Sequence, residues 1–234
     1  MKIAILNDTH AGIRNSSEIF IEQQELFYKN VFFPHLKEHG IKQILHLGDY
    51  YDNRKFINFK ALQSNRYMFL EVLRQEGIVM DIIPGNHDVF YKNTNELNSL
   101  KELHGHYMNE VHIIMEPTVM QYGSLSMALL PWICADNYEP SMNFIRDCKA
   151  DWLGAHLELA NFEIGRGILA PHGMDAKIFK KFEQVLSGHY HTASRRDNIW
   201  YLGNPMEFFW SDAHDPKFFH ILDTESRQIE KIQN

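Results

Sequence analysis

Several things are scarce in this sequence, and each scarcity excludes something. Only two cysteines, Cys134 and Cys148, stand among 234 residues, and neither belongs to a Cys-x-x-Cys. That is too few for a disulfide framework and fits reduced, cytosolic thiols. No apolar run approaches the length of a membrane span. The N-terminus reads Lys2, four apolar residues and Asn7-Asp8, which is too short for a signal peptide. The expected location is therefore the cytoplasm, with no membrane partner. Positive charge is in deficit as well: 23 Lys and Arg face 30 Asp and Glu, a net charge of −7 with histidines neutral. A broadly basic nucleic-acid surface is excluded, although bound divalent cations would make a local site positive. There is no internal repeat, low-complexity tract or linker, so residues 1–234 are expected to form one domain.

An apolar fraction of 44%, with 13% aromatics, supports a sizeable core and argues against disorder. Fourteen histidines are many for this length and fit metal chemistry. The first third alternates strand and helix. Ile3 to Leu6 reads as a strand, and Ser17 to Glu38 as a helix stopped by His39-Gly40. Ile41 to Leu47 is a second strand. A helix from Phe59 to Gln75 ends at Gly77 and leads into a third strand, Ile78 to Ile83. This spacing predicts parallel strands with right-handed crossovers. Further on, helices are expected over Thr94 to Leu103, Pro140 to Lys149 and, briefly, Asp175 to Lys181. Strands are expected over Val111 to Met115, Thr118 to Tyr122, Leu125 to Leu130, Asp151 to His156, Gln184 to Ser187, Ile199 to Leu202, Phe218 to Asp223 and Gln228 to Ile232. The reading is α/β, with two packed mixed sheets and helices outside.

Five times an apolar stretch ends in a cluster of Asp, Asn or His, often with Gly beside it. These are Asp8-Thr9-His10, Gly48-Asp49-Tyr50-Tyr51-Asp52, Gly85-Asn86-His87-Asp88, Gly154-Ala155-His156 and Gly188-His189-Tyr190-His191. The carboxyl ends of strands are where open α/β sheets place their chemistry. The oxygen and nitrogen donors suit divalent metals of the Mn, Fe or Zn kind. Two ions about 3.5–4 Å apart need a shared carboxylate. Asp49, on the strand expected to be central, is the candidate bridge. Asp8, His10 and His191 would complete one metal, and Asn86, His156 and His189 the other. His87 cannot easily bind the same ion as its neighbour Asn86 and is left to face a substrate. Arg14, Arg54 and Lys92 lie just beyond the clusters and are candidates to hold flanking phosphates. Phe208-Phe209-Trp210 could stack bases, with core packing or a partner contact as the plainer reading.

Taken in order, the five clusters resemble the complete signature of the calcineurin-like metallophosphoesterases. The resemblance runs from Asp8 to about Asp223. It implies a four-layer αββα sandwich with two mixed β-sheets and two divalent metal ions, Mn²⁺ favoured over Mg²⁺, Fe²⁺ or Zn²⁺. It also implies a catalytic His87 held by Asp52, and a metal-activated bridging hydroxide as the nucleophile. Asn53 separates Asp52 from Arg54, and the third motif ends in Asp88, unlike the protein phosphatases. Tyr201-Leu202-Gly203-Asn204-Pro205, Lys217-Phe218-Phe219 and Leu130-Pro131-Trp132 resemble the SbcD-type DNA repair and recombination nucleases, in the form carried by large bacteriophages. That branch implies DNA as substrate, exonuclease or endonuclease activity, an SMC-like ATPase partner of the SbcC type, and a homodimer through the helices near Phe59 to Gln75 and Thr94 to Leu103. For a phage protein the location would be the host cytoplasm. The DNA-capping and ATPase-docking regions of that branch are expected to be absent here. The alternative functions are a nucleotide or small-molecule phosphodiesterase or phosphatase, and a structural subunit without metal.

Overall fold

A computed structural model describes residues 1–165 and 167–234. The strands are β1 (Lys2–Leu6), β2 (Gln43–His46), β3 (Val79–Ile82), β4 (Val111–Ile113), β5 (Thr118–Tyr122), β6 (Leu125–Leu130) and β7 (Trp152–His156), then β8 (Glu163–Gly165), β9 (Ile168–Leu169), β10 (Gln184–Gly188), β11 (Ser194–Arg196), β12 (Ile199–Tyr201), β13 (Phe218–Asp223) and β14 (Gln228–Gln233). One sheet has the order β14-β13-β1-β2-β3-β4 and the other β11-β12-β10-β7-β6-β5. β1 to β4 are mutually parallel, as are β6, β7, β10 and β12, while at the margins β13 pairs antiparallel with both β1 and β14, β5 with β6, and β11 with β12. Both sheets are therefore mixed, as the motif resemblance implies.

Alternation along the strands builds the layers. In β1, Ala4 and Leu6 face a core shared with Phe27, Phe32, Leu36, Phe69 and Leu73 from the helices. Ile3 and Ile5 face the other way and meet Leu125, Met127, Leu129, Trp152 and Leu186 of the second sheet. The outer face of that sheet, with Leu153, Ala155 and Val185, is covered by Ile145, Phe179 and Phe182. The result is the αββα order. Among the described residues no helix is long and apolar enough to cross a membrane.

The two long helices, α1 (18–38) and α2 (59–76), lie close to their expected limits. Each contains one widened turn, at Tyr28–Phe32 and Arg66–Leu70. In α1 the widened turn precedes Pro34, which cannot donate to the carbonyl four residues back. α2 starts at the Asn58 cap, which accepts from Lys60 N at 2.8 Å, and ends at Gly77 with φ 60°. The helix expected from Thr94 is shorter: α3 covers Ser99–His104. Thr94 Oγ1 caps only a local turn, and Asn98 is the helix cap, accepting from Lys101 N at 2.9 Å. Residues 90–98 instead double back on themselves, Phe90 N donating to Leu97 O at 2.9 Å. α4 is Tyr138–Asp147, with Pro140 in its first turn, and the segment near 175–181 is a single tight turn, Ala176–Phe179. The short β8–β9 hairpin and β11 lack strong alternation and are not legible in the sequence.

One buried group on β13 works against stability. His220 shares a face with Leu222, packs edge-on to Trp200 at 5.3 Å, and has no hydrogen-bond partner for either ring nitrogen. Burial, with the charge of Lys231, lowers its pKa to about 3. As pH falls below 6.5 the unfolded chain takes up a proton at this site and the folded chain does not. Its contribution to stability is thus present above pH 6.5 and lost progressively toward pH 3. His220→Leu should raise stability by on the order of 1 kcal/mol, with a larger gain at pH 5 than at pH 8. Urea unfolding at the two pH values measures this.

Candidate metal centre

Every donor cluster found in the sequence lies just past, or at, the carboxyl end of a parallel strand. Asp8 and His10 follow β1, Asp49 follows β2, Asn86 follows β3, His156 ends β7, and His189 and His191 follow β10. The two sheets present these ends side by side, so loops from both converge. The first two loops pair like a continued ladder: Asp8 N donates to Gly48 O at 2.9 Å, His10 N to Asp49 O at 3.1 Å and Ala11 N to Tyr50 O at 2.7 Å. Asp8, His10, Asp49 and His189 all have positive φ, between 46° and 92°. Non-glycine residues hold that conformation only where surrounding contacts enforce it.

The close approach needs glycine at two points. A Cβ on Gly48, whose φ is +90°, would lie 2.7 Å from Gly85 N and from His156 Nδ1. A Cβ on Gly85 would run into the amide and carboxylate of Asp49.

The donors fall into two groups on either side of Asp49. Asp8, His10 and His191 form one, and Asp49, His156 and His189 another, each with ligand atoms within 4.8 Å of one another. Asn86 Oδ1 joins the second, 3.1 Å from His156 Nε2 and 2.8 Å from His189 Nδ1. Asp49 Oδ2 is 3.3 Å from His156 Nε2 and 3.9 Å from His10 Nε2. Among the described residues it is the one carboxylate oxygen within 4.0 Å of a histidine nitrogen of each group. In the first group His10 Nε2 and His191 Nε2 are 3.1 Å apart.

The chemistry of the donors fits cations. His156 Nδ1 lies 2.7 Å from Leu47 O, an acceptor only, so Nδ1 carries the hydrogen. A neutral His156 would then turn its Nε2 lone pair toward Asn86 Oδ1 and Asp49 Oδ2, and a positive charge must sit between them. Without metal that charge is a proton. Burial alone would lower the His156 pKa, but the charge and hydrogen bond of Asp49, with Asp8 behind, bring it to about 9. Reciprocally, burial would raise Asp49, and His156, His10 and His87 hold it well below the usual carboxylate range. His10 is raised in the same way, against burial, by Asp52, Asp49 and Asp8. His189 and His191 are lowered to about 4 and about 3, first by burial and then by the neighbouring His156 and His10. A divalent cation in either group would displace the protons of His10 and His156 and find the other imidazoles already neutral.

His87 is half-buried and beside this centre, its ring 4.9 Å from that of His10. Its N–H donates to Asp49 Oδ1 at 2.7 Å, and its Nδ1 lies 2.6 Å from the main-chain carbonyl of Asp52. Asp52 thus orients His87 through its carbonyl. Its carboxylate is turned to His10, 3.4 Å from Nδ1, a charge contact without hydrogen-bond alignment. Of the expected phosphate holders, Arg14 is exposed near the first group, with Nε donating to Phe208 O at 3.0 Å. Arg54 is half-buried and braces the third loop by donating to Val89 O at 2.9 Å. Lys92 is exposed on the 90–98 segment.

Three contributors are not evident in the sequence. Trp132 walls the second group, 5.9 Å from His156 and 5.4 Å from His189 between ring centres. Asn7 Nδ2 donates to Asp8 Oδ2 at 2.6 Å and so orients a donor. Asp88 is fully buried and touches no donor side chain, yet it holds the loops together. Its Oδ2 accepts from Asp49 N and Gly85 N, both at 2.8 Å, and its Oδ1 from Tyr50 N at 3.0 Å and Tyr51 N at 3.1 Å. Burial and the charge of Asp49 push this carboxyl above its ordinary range, while the backbone donors pull against them. An amide at this position would keep one acceptor oxygen and turn an NH₂ toward two of the four donors. Asp88→Asn should therefore lower stability by about 2–3 kcal/mol and weaken Mn²⁺ binding without removing a donor. Urea unfolding of the metal-free protein and calorimetric Mn²⁺ titration report the two effects separately.

Comparison with known proteins gives the chain's relatives. Residues 1–217 match the family model described as calcineurin-like phosphoesterase. Over 234 residues the chain is 32% identical to Exonuclease subunit 1 of Enterobacteria phage T4, covering 100% of this chain and 68% of that protein. The fold is similar to the crystal structure of a Thermus thermophilus protein, with a TM-score of 0.51 and 10% identity over 98% of this chain and 97% of that one.

Proposed function

The chain belongs to the calcineurin-like phosphoesterase family, and from that premise we propose that it is a divalent-metal-dependent nuclease acting on the phosphodiester bonds of DNA. The observation that carries the reading is the pair of donor groups divided by Asp49, in a chain related end to end to a phage exonuclease subunit. In this reading Asp8, His10 and His191 hold one ion, Asn86, His156 and His189 the other, and Asp49 is common to both. When bound, such ions supply a hydroxide at neutral pH and neutralise charge on the scissile phosphate. Oxygen-rich mixed ligation favours Mn²⁺.

The remaining work falls to the chain's own residues. His87, with Nδ1 fixed on the Asp52 carbonyl, keeps its Nε2 for the leaving oxygen, to which it donates a proton or hydrogen bond only as the imidazolium, because Nδ1 holds the hydrogen of the neutral ring. Arg14 is placed to hold a flanking phosphate. Arg54 is a structural brace first, because its Nε already serves Val89. With a net charge of −7 the chain gains little sequence-independent attraction for a polyanion. Cleavage should therefore favour flexible single-stranded ends, and efficient cutting of duplex should need a partner subunit, an SMC-like ATPase in the branch the motifs resemble. Phe56 and Phe59 at the start of α2 and Tyr67 midway along it, all more than half exposed, support association of two copies through that helix.

The tests are substitution and substrate choice. Asp49→Asn should lose both bound metal and cleavage. His87→Ala should keep the metal and lose roughly 10²–10⁴-fold in rate. Mn²⁺-dependent cleavage of single-stranded DNA, duplex DNA and a chromogenic phosphodiester, followed across a salt series, separates the nuclease from its alternative. A wild-type chain that hydrolyses the small ester and leaves every DNA intact is a small-molecule phosphodiesterase instead.

A further inference from the structure

The loop after β12 presents an aromatic surface beside the first donor group, and its construction is unusual. Trp210 is 92% exposed. The loop that carries it is nevertheless held from within. Asp212, buried, accepts from Phe208 N at 2.9 Å and Phe209 N at 3.0 Å. Asp212 Oδ1 also lies 3.6 Å from the ammonium of Lys217, itself only 6% exposed. Lys217 donates to Asn204 Oδ1 at 2.6 Å, to Asp215 Oδ2 at 2.9 Å and to the carbonyl of His191 at 3.1 Å. A buried lysine so fully partnered fixes both the loop and the main chain of a candidate metal donor.

On this base the side chains stack outward. The Phe209 ring lies 5.7 Å from that of His191 at an interplanar angle of 29°. The Arg14 guanidinium lies over the Phe209 ring, 4.6 Å from its centre. Arg14 reaches there from a left-handed turn, with φ of 55°, 56° and 59° at Arg14, Asn15 and Ser16. Three consecutive non-glycine residues in that region cost roughly 1–2 kcal/mol each. The turn and the loop meet through the Arg14–Phe208 hydrogen bond.

We propose that Phe209, Trp210 and Arg14 form a binding platform for single-stranded DNA, on which Trp210 stacks a nucleobase next to the scissile phosphate while Arg14 faces the neighbouring phosphate. This rests on the nuclease reading for the identity of the strand, and it adds a recognition site outside the metal donors. Three observations select a nucleotide as occupant. The Phe209 ring, the Arg14 cation and the first donor group are contiguous through His191, and a nucleotide offers both a π-face and a phosphate. The exposed indole is held out by a rigid, buried ion cluster, so its exposure is built in. Net negative charge elsewhere on the chain leaves stacking as a source of affinity that salt does not screen.

The test is equilibrium binding of oligonucleotides carrying 2-aminopurine at successive positions from the end, to the full chain with Ca²⁺ in place of Mn²⁺. Wild-type protein should quench 2-aminopurine strongly at one or two adjacent positions. Trp210→Ala should abolish that quenching and weaken binding roughly 5–150-fold, the range for loss of one stacked base. Trp210→Phe should restore most of both, which a merely structural residue would not require. An abasic site at the quenched position should remove the difference between wild type and Trp210→Ala. Absence of position-specific quenching, no oligonucleotide binding, or wild-type affinity in Trp210→Ala would overturn the platform. Cleavage of DNA by Mn²⁺-loaded wild type is scored separately: cleavage without quenching leaves the nuclease reading standing alone, and quenching without cleavage of any DNA leaves the platform and overturns the nuclease.

Discussion

A buried carboxylate that touches no candidate donor side chain holds this site together. Asp88 accepts four main-chain N–H groups, three from the loop after β2 and one from the loop after β3. The N–H groups of consecutive residues Asp49, Tyr50 and Tyr51 can converge on one side chain only if the chain turns sharply, and the left-handed Asp49, with φ 55°, supplies the turn. Once turned, Asp49 projects its carboxylate between the two donor groups and accepts the His87 N–H. The glycines at 48 and 85 let the two loops approach closely enough for this to happen. Strain in the left-handed residues is offset by hydrogen bonds and by the packed sheets beneath.

The electrostatics follow from the same arrangement. Asp8, Asp49 and Asp88, all buried, and the partly exposed Asp52 lie close together, and the imidazoles are their nearest counter-charges. A proton on His156 balances part of that charge in the metal-free chain, and a divalent ion would replace it. The site is thus built as a negatively charged cup inside an already negative protein. Attraction for a phosphodiester must then come from the ions themselves, from Arg14 and from stacking.

Much of this architecture is legible in the sequence, and the reason is local. Each donor follows an apolar run that ends within a few residues of Gly, Asn or Asp, so strand, turn and donor are read from one short window. The parallel order of β1, β2 and β3 follows from the helices between them. Contacts between distant segments and main-chain atoms are not legible. Asp88 reads as the last residue of a motif, and nothing in its neighbours announces four N–H partners, three of them 37–39 residues away. Asp52 reads as the residue that holds His87, but the sequence does not say by which atom: its carbonyl makes that contact and its carboxylate turns to His10. The expected helix from Thr94 fails because Thr and Asn both cap helices, and only the fold decides that Asn98 is the one.

Whether two ions share Asp49 is decided by metal-specific anomalous diffraction from crystals grown with Mn²⁺. Two peaks about 3.5–4 Å apart are expected, one among Asp8, His10 and His191, the other among Asn86, His156 and His189, with Asp49 between them. The chain offers a rival trio, His10, Asp52 and His87, whose ligand atoms are equally close. A single peak, or a peak centred on that trio, would contradict the shared-carboxylate site.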